Sequence, residues 1–425
     1  MKEKTYNSFL AILNSELVVA LGCTEPIAIA YASAKARQVL GKMPEHCTVY
    51  CSGNIVKNVK GVTVPNSGGL KGIDAAAILG IVGGDPDRTL TVLETVTEQD
   101  IAQTQILLAE GFCQCRLLEN ITGLYIIANV SAGKDTVEVV IADSHSNIVR
   151  ITKNGEELFS QQSEASAKGE CEPDKSLLNI KDILAFADEV KMEDVEELIS
   201  RQIRYNSAIA QAGLNHPYGV QVGRSLMSDF DSSNVKLRAK AAAAAGSDAR
   251  MSGCPLPVVI NSGSGNQGIT VTMPVVEYAK EYGATQEQLF RALIVSNLVA
   301  IHQKKYIGNL SAYCGVVSAA CGSGAGIAYL LGCTYEEICN TITNTIANIG
   351  GMVCDGAKPS CAAKIASAVE ATIMALHLSR KNLVFQPGEG LVKEDVEKTI
   401  TSIGRMGREG MKATDVEILN IMLEK

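Results

Sequence analysis

The chain has 425 residues and a formal charge of −8, with 46% hydrophobic residues but only 4% aromatics, no Trp and 38 Gly. That length exceeds the usual single core, so more than one domain is expected, its interior filled by Ala, Val, Ile and Leu on closely packed backbones. The acidic balance and the lack of any Lys- or Arg-rich run exclude a phosphate-neutralising surface, and with it nucleic acid and anionic lipid as partners.

At the N-terminus, MKEKTYNSFLAILNSELVVALG places basic residues before apolar ones, but Asn14, Ser15 and Glu16 interrupt the stretch and no small-residue cleavage site follows. No signal peptide is expected. No apolar run reaches the roughly 18 residues that span a bilayer, so no membrane insertion is expected either. The 13 Cys are odd in number and irregularly spaced, unlike a disulfide framework, which implies a reducing, cytoplasmic setting.

Phe9, Ile12, Leu13, Leu17 and Leu21 recur at helical spacing and predict a first helix that stops at Gly22-Cys23. Thr24 then reads as the N-cap of a second, with Glu25 and Pro26 in its first turn and Gly41 at its end. From Pro44 to Gln161 the texture becomes β-branched: TVYCSGNIV, TLTVLETV, LYIIANVSA, DTVEVVIAD and NIVRITKNG read as strands. Turns are expected at Ala132 to Asp135, Asp143 to Asn147 and Asn154-Gly155, and helices at GIDAAAILGIVGG and EQDIAQTQILLAEGF. The polar stretch from Ser160 to Ser176 reads as a linker. Beyond it the chain is almost wholly helical in pattern. SAACGSGAGIAYLLG and CAAKIASAVEATIMALHL are so rich in small apolar residues that burial inside a bundle follows. The fold class is therefore multidomain, α and α+β: a mostly helical catalytic domain of small buried helices, residues 1–43 and 162–425, with an α+β module, residues 44–161, inserted in it.

The chemistry-bearing segments begin with Cys354-Asp-Gly-Ala-Lys-Pro-Ser-Cys361, a Gly- and Pro-containing loop between two helices. Two buried thiols near a turn would explain it alone. Cys314, after another Gly-containing junction, adds a second reading: three thiolates from separate helix ends can hold three irons of a [4Fe-4S] cube and leave the fourth open to substrate as a Lewis acid. No C-x2-C occurs, so ferredoxin and zinc-ribbon signatures are missing, and spacing alone leaves the cluster the lesser reading. Cys23, just before a helix start, reads equally as a low-pKa base or nucleophile and as an inert capping-turn residue, with Glu25 opposing thiolate formation.

Asn261-Ser-Gly-Ser-Gly-Asn-Gln-Gly268 follows the strand-like PLPVVI, and its amides can converge on an anion such as a carboxylate. Gly263, Gly265 and Gly268 also satisfy G-x-G-x-x-G. A dinucleotide site is set aside because ITVTMPVV reads as β-branched and carries Pro274, where a helix should start, and Glu287 lies at a helix start rather than a strand end. Of the His residues, His216 and His302 fall nearest the candidate segments and read as structural. Lys304 or Lys305, shortly before Cys314, could balance the charge of a cluster, but a solvated helix face is the better reading.

Taken together, GCTEP at Cys23, SGSGNQG at Ser262 to Gly268, Tyr-Cys-Gly at Cys314 and CDGAKPSC at Cys354 to Cys361 closely resemble the L-cysteine desulfidase family, which is related to the catalytic subunits of iron-sulfur L-serine dehydratases. The resemblance runs over essentially the whole chain. It implies an oxygen-sensitive [4Fe-4S] cluster on Cys314, Cys354 and Cys361, with Cys321 the competitor for the first ligand. It implies Cys23 as general base, and a substrate site formed by Thr24, Glu25, Ser262, Gly263, Ser264, Gly265, Asn266 and Gln267, with the carboxylate on the Gly-rich loop. The inserted module is similar to the small regulatory-type domain of the serine dehydratases. Those enzymes carry Ser-Ser-His-Thr where this chain has Gly-Cys-Thr-Glu, which favours the desulfidase. The expected reaction is α,β-elimination of L-cysteine to pyruvate, ammonia and sulfide. The alternatives are L-serine dehydration and a non-catalytic amino-acid sensor with vestigial or zinc-binding cysteines; pyridoxal phosphate ranks below the cluster for want of a phosphate loop with a matching lysine. The expected partner is a small amino acid, and self-association is left open.

Overall fold

The computed structural model describes residues 1–119, 121, 123–161, 173–229, 231–308 and 310–424. Most of the expected linker lies outside the described residues. Helix α1 (Glu3–Glu16) buries Phe9, Ile12 and Leu13, but it ends earlier than the periodicity predicts. Its expected continuation is extended instead as β1 (Val19–Leu21), because Val19 to Leu21 pair antiparallel with β8 (Pro257–Val259) across the chain. Helix α2 (Thr24–Leu40) starts one residue earlier than expected, with Cys23 rather than Thr24 at the N-cap, and stops at Gly41 in the left-handed conformation.

The next section forms a six-stranded sheet of order β3-β2-β4-β5-β6-β7: β2 (His46–Ser52), β3 (Cys113–Leu118), β4 (Tyr125–Ala132), β5 (Asp135–Ala142), β6 (Ile148–Lys153) and β7 (Glu156–Ser160). β2 and β3 pair in parallel; every other neighbour is antiparallel. The parallel pair demands a crossover, which carries α3 (Gly53–Val59), α4 (Ile73–Gly83) and α5 (Glu98–Ala109). Two strand expectations fail inside it. NIV of the first run is helical in α3, and TLTVLETV is 3-10 helix and turn, beginning Pro86–Thr91, since Pro86 removes a ladder donor and Asp85 caps the turn. Helix α2 packs on β4, β5 and α4, so it covers the sheet.

The rest is a bundle: α6 (Ile180–Glu189), α7 (Met192–Asn215), α8 (Val222–Asp229), α9 (Val235–Met251), α10 (Gly265–Glu281), α11 (Gln286–Ile307), α12 (Gly315–Leu330), α13 (Tyr335–Ile349), α14 (Cys361–Ser379), α15 (Val396–Arg405) and α16 (Lys412–Met422). Helix α12 sits at its centre against α10, α11, α13 and α14. Its small residues permit that crowding: a Cβ at Gly322 would stand 2.4 Å from the Ser296 carbonyl.

ITVTMPVV lies inside α10, against the expectation of a strand. β-branched residues lose only about 0.5 kcal/mol each in a helix, whereas burying each Ile, Val or Met is worth about 1.5–3 kcal/mol, and this helix is buried on every side from Gly265 to Val276. Helix α14 corrects a second expectation, being long and apolar enough by composition to cross a membrane. The sequence count of consecutive apolar residues misses it because Lys364, Glu370 and His377 interrupt the run. Half of its most apolar window is buried in the protein, against α9, α12 and α13, as in a core helix of the bundle.

Candidate functional site

The singled-out motifs all sit at helix starts. Cys23 caps α2, Gly265 opens α10, Cys314 caps α12, Cys361 opens α14, and Cys354 lies in the loop before it. Backbone bonds fix two of them to each other: Cys314 N–H donates to Met352 O at 2.9 Å, Cys354 N–H donates to Ala312 O at 2.7 Å, and Tyr313 and Val353 form an antiparallel bridge. The Cys314 thiol consequently meets Cys354 and donates to it, and Cys361 is near enough for its charge to be felt by Cys314. Cys361 and Cys23 pack in one small apolar cluster with Val62, Met251 and Ala357. Gln267 closes the ring, since its amide lies flat on Gly315, where a Cβ would stand 2.6 Å away.

Cys321 does not join them. It is fully buried inside α12, its thiol donates to Ile342 O at 3.8 Å, and burial pushes it up to about 12.

Cations surround the three thiols. The hydrogen bond from Cys314 lowers Cys354 against the opposing effect of burial, and Lys57 and Lys364 lower it further. Lys57 is 2% exposed, donates to Cys354 O at 3.3 Å and pairs with Asp415 on α16. Lys304 is buried, not on the solvated face expected for it, and burial lowers its ammonium to about 8 even beside Cys354 and Cys314. Lys305 is half-buried and caps Leu178 O at 2.7 Å. Among the described residues no three His, Cys, Asp or Glu side chains are gathered as for a single metal ion.

On the other side of Cys23 lies a buried polar network. The Cys23 thiol donates to Glu25 Oε2 at 3.1 Å, Thr24 Oγ1 donates to Gly263 O at 2.9 Å, and Asn58 Nδ2 donates to Glu25 Oε1 at 2.9 Å. Burial alone would raise Glu25, but His145, Cys23 and Arg250 outweigh it and hold the carboxyl at about 2. Burial and that carboxylate push the Cys23 thiol well up, with Arg250 only partly opposing. Of the two sequence readings of Cys23, the low-pKa thiolate is opposed here, since burial and Glu25 outweigh the helix-start field.

Two residues here escape sequence reasoning. His145, in the turn between β5 and β6, is 6% exposed, lies against Gly263, and holds Nε2 at 3.9 Å from Glu25 Oε1, beyond hydrogen-bond reach. His216 and His302, nearest the candidate segments along the chain, have structural contacts in keeping with their reading: His302 is bonded to Glu397 at 2.7 Å, and His216 caps the end of α7 beside Tyr218. Arg250, at the end of α9, is 2% exposed and donates Nε–H to Gly22 O at 2.9 Å. Its only sequence signal is a charge within the small-residue run AAAAAGSDARM.

The Gly-rich loop does run from a strand, β8, into a helix, α10, so one ground for setting aside a dinucleotide falls. Another replaces it. β8 pairs only with β1 and antiparallel, in a two-stranded sheet, whereas the dinucleotide fold needs a parallel one. The last glycine serves packing here: a Cβ at Gly268 would stand 2.0 Å from Val259 O.

Comparison with known proteins gives this geometry a family. The UPF0597 protein of Lachnoclostridium phytofermentans is 53% identical over 421 residues, covering 98% of this chain and 100% of the relative. The UPF0597 protein of Desulfitobacterium hafniense is 50% identical over 424 residues, covering 100% and 98%. That of Treponema denticola is 43% identical over 428 residues, covering 100% and 99%. A family model described as the serine dehydratase alpha chain matches residues 87–420, a span that takes in the Gly-rich loop and all three clustered cysteines, and the chain thus belongs to the serine dehydratase alpha chain family, related to iron-sulfur serine dehydratases.

Proposed function

We propose that the protein is an iron-sulfur L-cysteine desulfidase within this lyase family, splitting L-cysteine into pyruvate, ammonia and sulfide. The observation that carries the reading is the convergence of three cysteines, Cys23 and the Gly-rich loop from distant helix starts. Nothing in folding requires four cysteines and a buried carboxylate in one place.

The donor set fits a [4Fe-4S] cluster. Cys314, Cys354 and Cys361 come from separate elements, backbone amides at Val316 and Gly356 support the first two sulfurs, and Lys57, Lys304 and Lys364 offset thiolate charge. A cube spreads its ligands over three irons, so it does not need the tight grouping of a single ion. When bound, the cluster supplies an open iron acting as Lewis acid toward the departing sulfur.

The chain's residues do the rest. The Gly-rich loop and the first amides of α10 bind the substrate carboxylate and stabilise negative charge growing on it as the α-proton leaves. Cys23 Sγ receives that proton as thiolate, its own proton having passed to solvent before the site closes; the substrate ammonium and Arg250 favour that form against the burial and the Glu25 carboxylate that otherwise keep the thiol protonated. The Cα–H pair becomes the Cα–Cβ double bond, and the Cβ–S bond breaks with its electrons on sulfide. Aminoacrylate then tautomerises to the imine, and water hydrolyses it to pyruvate and ammonia. Burial of Cys23 and Glu25 keeps water from competing for the proton.

L-Serine dehydration is the second reading, favoured by the description of the matching family model. Anaerobically reconstituted protein separates the two: sulfide release from L-cysteine exceeding pyruvate formation from L-serine supports the desulfidase, and the reverse assigns the dehydratase. Residues 44–161 are read as a regulatory-type module, supported by their separate sheet.

A further inference from the structure

Arg250 is a buried cation with unspent donors. Its Nε is bonded to Gly22 O, yet Nη2 is buried and has no hydrogen-bond partner among the described residues. A guanidinium can only donate, and leaving such a donor buried and unpaired is costly unless a ligand completes it. The guanidinium lies directly on the first residue of α10: a Cβ at Gly265 would stand 2.3 Å from Nε and 2.9 Å from Cδ, so only glycine admits it. Helix α10 is 17 residues long and Ser264 gives it no side-chain cap, leaving its first amides without intrahelical partners. Two anion-binding devices therefore meet at one point, a helix start and a guanidinium. Acceptors are left unpaired as well: Asn266 Oδ1 and Gln267 Oε1 in the first turn of α10, and Asn58 Oδ1, whose amide nitrogen is bonded to the ionised Glu25. The guanidinium and the helix start suit an anion, and the Glu25 carboxylate, close enough to feel the charge of Arg250, suits a cation, the two charges of an amino-acid zwitterion.

We propose that Arg250 is the specificity-determining residue for the substrate's carboxylate, pairing through Nη2 with an oxygen that the first amides of α10 also hold. The proposal rests on the amino-acid lyase reading, which supplies the ligand class, but its test does not need turnover. Gly265 follows from it: the missing side chain makes room for the guanidinium as well as for the ligand.

The test is the melting temperature of cluster-reconstituted protein with L-alanine, which lacks a leaving group, with propionate, which lacks the ammonium, and with ethylamine, which lacks the carboxylate. Wild type is stabilised by L-alanine and by propionate. In R250Q both shifts vanish while iron content and any ethylamine shift persist; R250K, which keeps the charge but not the fork, gives a reduced shift and carries the comparison if R250Q does not fold. Where L-cysteine is turned over, R250Q raises KM about 10²- to 10³-fold, the loss expected for one partner of a buried charge pair. A purely structural role through Gly22 would lower kcat and leave the propionate shift intact. An undiminished propionate or L-alanine shift in R250Q overturns the proposal, as does the absence of any such shift in wild type. If wild type releases neither sulfide nor pyruvate yet shows the Arg250-dependent shift, the lyase reading falls and the carboxylate site stands.

Discussion

The molecule holds two gatherings of thiols, and their surroundings set them apart. In the bundle, Cys314 and Cys361 come from helix starts and Cys354 from the loop before the second, with amides and three lysines around them, and Cys354 is lowered. In the sheet, Cys47 and Cys113 are register partners on parallel strands, with sulfurs 3.6 Å apart, and Cys115 and Cys51 lie close by. The hydrogen bond that Cys115 donates to Cys113 raises Cys115, burial and the charge of Asp74 add to it, and Cys113 is also raised overall. Both groups contain thiols bonded to one another, but only the bundle group has lysines against it, and there Cys354 is lowered while Cys314 and Cys361 are raised. A thiolate ligand must be deprotonated, and the one thiol lowered toward that state, Cys354, lies in the bundle group.

The largest expected effect is Cys354→Ala, which should remove iron and activity together, because the lost thiol is the one most readily ionised. Iron per chain and acid-labile sulfide after anaerobic reconstitution measure it, and a full cluster in this variant would end the comparison. Next comes Cys23→Ser, which should retain iron but lose about 10²- to 10⁴-fold in rate, the usual worth of a general base. Exchange of the substrate α-hydrogen with solvent should fall in parallel; a normal rate would return Cys23 to the capping-turn reading.

Both gatherings were written in the sequence to different depths. The alternating strands β4 and β5 and the Asn154-Gly155 turn were legible because they are local: strand period and left-handed turn residues declare themselves. The helical state of ITVTMPVV was not, since burial on all sides overrides a propensity that reads as strand. At the site, the cysteines and the Gly-rich loop stood out by composition. His145 and Arg250 did not, because their roles come from contacts of β5–β6 with the Gly-rich loop and of α9 with the start of α10, which no spacing encodes.

His145→Gln sharpens the point. Its imidazole spans the Gly-rich loop and Glu25 without bonding to either strongly, so the variant should keep iron and lose about tenfold in rate, read as kcat at saturating substrate. Unchanged kcat would make His145 a packing residue. Glu25 gives a pH signature with a defined sign. Its folded pKa of about 2 lies below the unfolded value of about 4.5, so it contributes stability above pH 4.5 that is lost as pH falls through that window toward 2. The full contribution is at most about 3 kcal/mol. Acid unfolding followed by circular dichroism should show a shallower dependence in Glu25→Gln than in wild type, and equal slopes would mean the carboxylate is not held by its neighbours.

The smallest effect is expected in the sheet, where the comparison is most exposed to failure. Cys115 is exposed and Cys113 partly so, at the edge of the sheet and away from the helix starts that gather the other thiols. Replacing both with Ser exchanges one small weak donor for another on a half-wet edge strand, where burial terms are slight and surface changes fall within about 0.5 kcal/mol. The double variant should therefore bind the same iron, turn over within about twofold of wild type and melt within a few degrees of it. Thiol proximity would then be shown insufficient for metal binding in this fold, and the lysines and amides around Cys354 would carry the distinction. Loss of iron in this double variant, with its fold intact by circular dichroism, would place a ligand in the sheet and reverse the assignment of the two thiol groups.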